Sequence, residues 1–248
     1  VVTYKDIFDG LKRLNLPDNP VLLVHSSMKS FGYVEGGPET VIKALIDICG
    51  DKGTLVMPTL SFRYVNEADP FFDVMETPSE TGLITEVFRK MPGAKRSLHI
   101  FSSAAALGEK AGYITCYHDD TPCGPDTPYQ KVIELGGFVL FIGAGFKSNT
   151  LFHVAEEYAN PPYMRYKTIE NARIRDAEGN VHIRNIRRYN CYQTGIIRHL
   201  AKMEDIFEKE NVLTRTKIGN SNITLISAED NFKISYELLK NNYEYILE

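Results

Sequence analysis

The stretch from Phe138 to Glu156 constrains the fold of this chain more than any other. Phe138-Val139-Leu140-Phe141-Ile142 is an unbroken apolar run, which suits a strand buried on both faces. Gly143 and Gly145 supply a turn, and Asn149 or Thr150 supplies the N-cap of a following helix. In that helix His153 and Glu156 stand three residues apart and share one face. Open α/β sheets bind ligands just past the carboxyl ends of their strands, so the pair is a candidate for acid–base work. The same pattern also fits a capped helix with a hydrogen-bonded core histidine and a solvated glutamate.

The rest of the chain alternates in the same way. Tyr4 to Leu14 has helical periodicity through Ile7, Leu11 and Leu14, and Leu16-Pro17-Asp18-Asn19-Pro20 ends it. Val21 to Val24 reads as a strand, Ser26 to Gly37 as a loop, Pro38 to Cys49 as a helix with proline in its first turn, and Thr54 to Pro58 as a strand parallel to the first. Ser61 to Ser79 has little periodicity and reads as a long loop. Helices are expected over Gly82 to Lys90 and Pro128 to Leu135, with a short strand or extended turn within Ala94 to Ser103. Arg173 to Arg187 alternates as a hairpin turning at Glu178-Gly179-Asn180. Tyr192 to Lys209 reads as helix, then come strands near Val212 and Thr224 and a last helix from Ala228. The expected fold is α/β, with a mixed, largely parallel central sheet flanked by helices. Residues 1–248 are expected to form a single domain, with 173–227 as a smaller β-rich subdomain.

At 248 residues and 43% hydrophobic side chains, the chain can bury a large core. It has no apolar run long enough to span a bilayer and no signal peptide at Val1-Val2-Thr3-Tyr4-Lys5, so a soluble cytoplasmic protein without a membrane partner is expected. The four cysteines form no Cys-x-x-Cys pair, which points away from a zinc site or a disulfide framework. A net charge of −4 and a pI near 5.9 give no basic footprint for nucleic acid, and they suit a cationic small molecule. No Gly-x-x-x-x-Gly-Lys-Ser loop is present. Metal-dependent hydrolysis through His25, His99 and His153 is disfavoured, because no pair has His-x-x-x-His spacing, and no metal is expected.

An ordered set of short motifs resembles the aminoglycoside 3-N-acetyltransferase family, whose fold differs from that of GNAT enzymes. The set comprises Val24-His25-Ser26-Ser27, Gly36-Gly37-Pro38, Met57-Pro58-Thr59, Thr77-Pro78 through Gly82 to Arg89, Arg96-Ser97-Leu98-His99, Asn149-Thr150-x-x-His153-x-x-Glu156 and Ile218-Gly219-Asn220-Ser221. Gly124-Pro125-Asp126-Thr127-Pro128 stands where the family has Gly-x-x-Ser-Pro, and Ile100 stands where it usually has proline. The resemblance covers most of the chain and implies direct acetyl transfer from acetyl-CoA to an amine of an aminoglycoside or related aminosugar. It makes His153 the general base and Glu156 its partner. It points to Ser26, Ser27, Lys29, Arg96, Ser97, Ser103 and Thr127 for coenzyme A. Carboxylates suited to an ammonium acceptor are Asp119, Asp120 and Glu157, with Asp126, Glu67, Asp69 and Asp73 as further candidates. Cys123 is read as structural. A biosynthetic aminosugar N-acetyltransferase and a non-catalytic coenzyme A-binding protein are the alternatives, and a homodimer is left open.

Overall fold

The computed structural model describes residues 1–191 and 195–247. Its main sheet has seven strands. They are β1 (Val21–Ser26), β2 (Thr54–Pro58), β4 (Lys95–Arg96), β5 (Ala104–Gly108), β6 (Phe138–Ile142), β9 (Thr214–Ile218) and β10 (Ser221–Ser227). Their order across the sheet is β4-β5-β2-β1-β6-β10-β9. The mixed α/β sheet expected from the sequence is present, but its parallel part is confined to the central pairs β1–β2 and β1–β6, and the other four pairings are antiparallel. Antiparallel neighbours need only short connections, so each edge is finished with hairpin-like additions.

The unbroken apolar character of β1 and β6 has a direct cause. Val21 and Leu23, with Val139 and Phe141, face one core; Leu22 and Val24, with Leu140 and Ile142, face the other. The first core is closed by α5 (Pro128–Glu134), α6 (Thr150–Ala159), α7 (Met203–Lys209) and α8 (Ala228–Asn242). The second is closed by α1 (Tyr4–Lys12), α2 (Gly37–Cys49) and α3 (Leu83–Phe88). A further short helix, α4 (Ala111–Thr115), packs beside β5.

A second sheet carries β3 (Phe71–Asp73), β7 (Tyr166–Arg175) and β8 (Val181–Tyr189) in that order. The hairpin expected at Glu178-Gly179-Asn180 is the β7–β8 connection. Of the 173–227 stretch, only the hairpin lies in this sheet; β9 and β10 belong to the main one. The Ser61 to Ser79 stretch corrects a pure loop reading, because β3 pairs in parallel with β7 and Phe72 is buried in a third core with Ile169 and Ile174. The helix expected over Tyr192 to Lys209 is also corrected. Residues 192–194 lie outside the described residues, 196–199 belong to no helix or strand, and helix begins with a 3₁₀ turn at Leu200–Lys202 followed by α7. That chain path lets Arg198 reach α6 instead of continuing a helix at the surface.

Candidate active site

Strands β1 and β6 run in register, with His25 opposite Phe141 and Ser26 opposite Ile142, so their carboxyl ends release two loops side by side. The second loop turns at Gly143, which has φ of +59°, and a Cβ there would lie 1.9 Å from the Ser30 hydroxyl oxygen. Only glycine accommodates both demands. Asn149 then caps α6 by accepting from the Phe152 N–H, and it exchanges amide hydrogen bonds of 3.0 and 3.3 Å with Asn231 of α8. The first turn of α6 is therefore held at its cap and across its packing partner.

This helix presents His153 and Glu156 on one face, hydrogen-bonded through Nδ1 and Oε2. Glu156 is fully buried. Its Oε2 also accepts from Arg198 Nη1 at 2.7 Å, and its Oε1 accepts from the Tyr163 hydroxyl at 2.6 Å. Burial alone would push the carboxyl up, but His153, Arg198 and Tyr163 outweigh it and hold Glu156 below its ordinary value. An ionised carboxylate can only accept, so Nδ1 carries a proton and Nε2 is the nitrogen that can accept one from a substrate.

His153 lines a cavity of about 290 Å³ with His25, Ser26, Cys123, Lys147, Thr150 and Tyr189, while Val24, Pro58, Leu60 and Phe62 make apolar wall. Mostly apolar lining with a few placed polar groups is the composition of small-molecule sites. His25 stacks on Phe141 with ring centroids 5.2 Å apart. Burial and the neighbouring His153 pull its pKa down to about 3, so it is neutral at physiological pH. Burial pushes the Cys123 thiol well up, which fits a packing residue rather than a nucleophile. Ser26 Oγ is buried in the cavity wall with no hydrogen-bond partner among the described residues, so the wall holds one polar atom suited to a ligand.

The other residues singled out from the sequence divide sharply. Ser27 precedes the 3₁₀ turn Met28–Phe31 and Lys29 is exposed on it; both neighbour the cavity loop without lining the cavity. Arg96 is buried over the Phe72 ring, and its guanidinium donates to the Thr59 and Ser103 hydroxyls (both 3.0 Å) and to the Thr77 and Thr59 carbonyls (2.5 and 2.9 Å). Those bonds tie the strand ends together and turn Arg96 away from a phosphate. Ser97 bonds His118 at 2.9 Å, Ser103 donates to the Thr59 carbonyl at 2.9 Å, and Thr127 caps α5. His99 accepts from the Phe101 and Ser102 N–H groups at 3.1 and 2.9 Å and is likewise internal. Asp120 pairs with Arg184 and Asp119 with Arg187. Glu157 lies one residue behind the cavity, accepting from the Cys123 N–H at 2.8 Å and the Tyr189 hydroxyl at 2.7 Å. Among the described residues no group of three or more histidine, cysteine, aspartate or glutamate side chains is placed to hold a metal.

Sequence reasoning missed Arg198, Tyr163, Tyr189 and Lys147. Only Lys147 had a local signal, since it lies in the turn between β6 and α6.

The family profile described as aminoglycoside 3-N-acetyltransferase matches residues 23–240. Aminoglycoside N(3)-acetyltransferase VII of Streptomyces paromomycinus is 36% identical over 195 residues, covering 71% of this chain and 68% of the relative. The SPbeta prophage-derived aminoglycoside N(3')-acetyltransferase-like protein YokD of Bacillus subtilis (strain 168) is 31% identical, covering 97% of this chain and 93% of its own. Among solved structures, AAC-IIIb in binary complex with CoASH superposes with a TM-score of 0.84 at 27% identity, covering 96% of each chain.

Proposed function

Because the chain belongs to the aminoglycoside 3-N-acetyltransferase family, we propose that it transfers the acetyl group of acetyl-CoA directly to an amino group of an aminoglycoside or related aminosugar. The observation that carries this reading is the His153–Glu156 pair at the cavity wall, with Nδ1 committed to a buried carboxylate and Nε2 left as an acceptor. His153 Nε2 takes a proton from the acceptor ammonium, and the neutral nitrogen attacks the thioester carbonyl carbon. A C–N bond forms and the C–S bond breaks; the nitrogen gives up a second proton as it becomes the amide, the coenzyme A thiolate takes that proton and leaves as the thiol, and His153 returns the first proton to solvent. No acyl-enzyme is required, since the buried Cys123 thiol stays protonated.

Acetyl-CoA is the acyl donor that fits this cavity: Ser26 brings the unpartnered hydroxyl, Lys147 a cation, and the apolar wall suits the pantetheine arm. Glu156 orients the imidazole and stabilises its protonated form; Arg198 and Tyr163 fix Glu156 in turn. No helix among the described residues is long and apolar enough to cross a membrane, and we place the protein in the cytoplasm, where acetyl-CoA is available. We treat residues 1–248 as one catalytic unit. The biosynthetic aminosugar reading uses the same chemistry with another acceptor, whereas a purely binding role leaves the His153–Glu156 arrangement without a purpose.

Thiol release from acetyl-CoA with purified protein and a panel of aminoglycosides and simple aminosugars tests the proposal. His153→Ala should retain coenzyme A binding and lose about 10²–10⁴-fold in kcat, the usual contribution of a general base. Equal turnover by His153→Ala, or no thiol release with any amine, would overturn it.

A further inference from the structure

A hydrogen bond at one nitrogen does not by itself fix an imidazole. Among the described residues His153 has a single hydrogen bond, from Nδ1 to Glu156 Oε2. The second torsion of a histidine side chain is broad, so the ring can still rock about its Cβ–Cγ bond and carry Nε2 off line. A base has to keep that nitrogen within hydrogen-bond reach of the proton it removes. A neighbouring group is needed to close the open side of the ring.

Tyr189 stands there. It is the last residue of β8, in register opposite Tyr166 of β7, so the second sheet supplies it and not the helix that carries His153 and Glu156. Its ring centroid lies 5.2 Å from that of His153 at an interplanar angle of 43°, an offset contact of the kind aromatic pairs favour over a face-to-face sandwich, and both side chains line the cavity. The Tyr189 ring is itself held from three directions. Its hydroxyl donates to Glu157 Oε1 at 2.7 Å, and the same oxygen accepts from the Cys123 N–H at 2.8 Å. The Arg198 guanidinium lies over the ring at 5.6 Å, and the Tyr166 ring packs 5.8 Å away. Arg198 is also the cation that pairs with Glu156. One phenol ring therefore neighbours the base and the cation that fixes the base's partner, while its tip is tied to the next residue of α6.

We infer that Tyr189 is a positioning residue for acetyl transfer: its ring sets the plane of the His153 imidazole so that Nε2 points into the cavity, and its hydroxyl serves to hold that ring against Glu157. The inference rests on the acetyl transfer proposed above. It places one determinant of the base's geometry on the β7–β8 hairpin, outside the sheet and helix that carry the base itself.

The test measures kcat and KM by thiol release, with acetyl-CoA and the aminoglycoside turned over fastest by the wild-type protein, and coenzyme A binding by titration calorimetry. Misplacing a reacting group by about 1 Å can cost about 10²-fold, so Tyr189→Leu, which keeps apolar bulk without a ring, should lower kcat by about 10–100-fold while both KM values stay within about twofold. Tyr189→Phe keeps the ring and should stay within about threefold of wild-type kcat. Stoichiometric coenzyme A binding shows that a variant is folded, so a loss of kcat is then not a loss of active protein. Should Tyr189→Leu fail that check, Tyr189→Met, which fills the space with a flexible chain, takes its place in the comparison. Full kcat without the ring, equal losses in Tyr189→Phe and Tyr189→Leu, or an effect confined to KM would overturn the inference while leaving acetyl transfer standing. Absence of thiol release by the wild-type protein with every amine would instead remove the proposed function.

Discussion

Replacing Arg198 should cost both stability and turnover. Arg198 Nη1 and His153 Nδ1 share Glu156 Oε2, and Tyr163 holds Oε1, so the fully buried carboxylate has three partners. Arg198→Met removes one of them while two remain, at a stability cost toward the low end of the ~3–5 kcal/mol seen when a buried pair is broken. For a domain of this size each ~1 kcal/mol lowers the melting temperature by about 2–4 °C, so calorimetry should show a fall of about 6–12 °C. With Glu156 less firmly held, the imidazole it orients is less well placed and kcat should fall as well. Arg198→Lys keeps the charge and should recover much of the stability while leaving kcat reduced, because one ammonium replaces a planar fork. An unchanged melting temperature in Arg198→Met would refute the reasoning, and full turnover in that variant would show that the placement of Glu156 does not depend on Arg198.

Other outcomes follow from single contacts. Ser26→Ala should raise KM for acetyl-CoA several-fold with no loss of thermal stability, because Ser26 Oγ has no hydrogen-bond partner among the described residues to lose. His25→Gln should leave a single ionisation in the acid limb, since His25 is neutral above about pH 3; the disappearance of an ionisation would refute this. Glu86 is buried enough for desolvation to raise its pKa, yet hydrogen bonds from Arg89, Lys90 and the Ser79 N–H bring it down to about 2. Its folded value is depressed, so its contribution is present above pH ~4.5 and disappears as pH falls toward about 2. Glu86→Gln should cost about 1–2 kcal/mol at pH 7, discounted for partial exposure, with the gap in melting temperature closing in acid.

Much of the fold is legible because the signals are local. The runs at Val21 and Phe138 are apolar on both faces, which only a central strand between two helix layers explains, and Asn149 caps α6 with the residue type its position requires. Where the chain is held by distant partners, the pattern is weak. β3 is three residues long and exists because β7, about a hundred residues later, gives it a ladder. β5 is Ala-Ala-Ala-Leu-Gly, a composition that suits a helix as well as a strand. The segment before α7 carries helical periodicity, but its chain is irregular where Arg198 reaches Glu156 of α6.

The two arginines show why the site is only half readable. Arg96 stands in a motif with serine and histidine, the company a phosphate ligand keeps, whereas Arg198 stands in no motif at all. In the fold Arg96 is surrounded by the carbonyls of Thr59 and Thr77 and is used up internally, while Arg198 meets the one fully buried carboxylate of α6. What decides the role of each guanidinium is the acceptor waiting at its tip. That acceptor is set by which strand ends and helices close on one another, a long-range fact that spacing along the chain does not encode. His153 and Glu156 escape this limit because both halves of their hydrogen bond lie on one helix turn, so the geometry that joins them is already present in their separation of three residues.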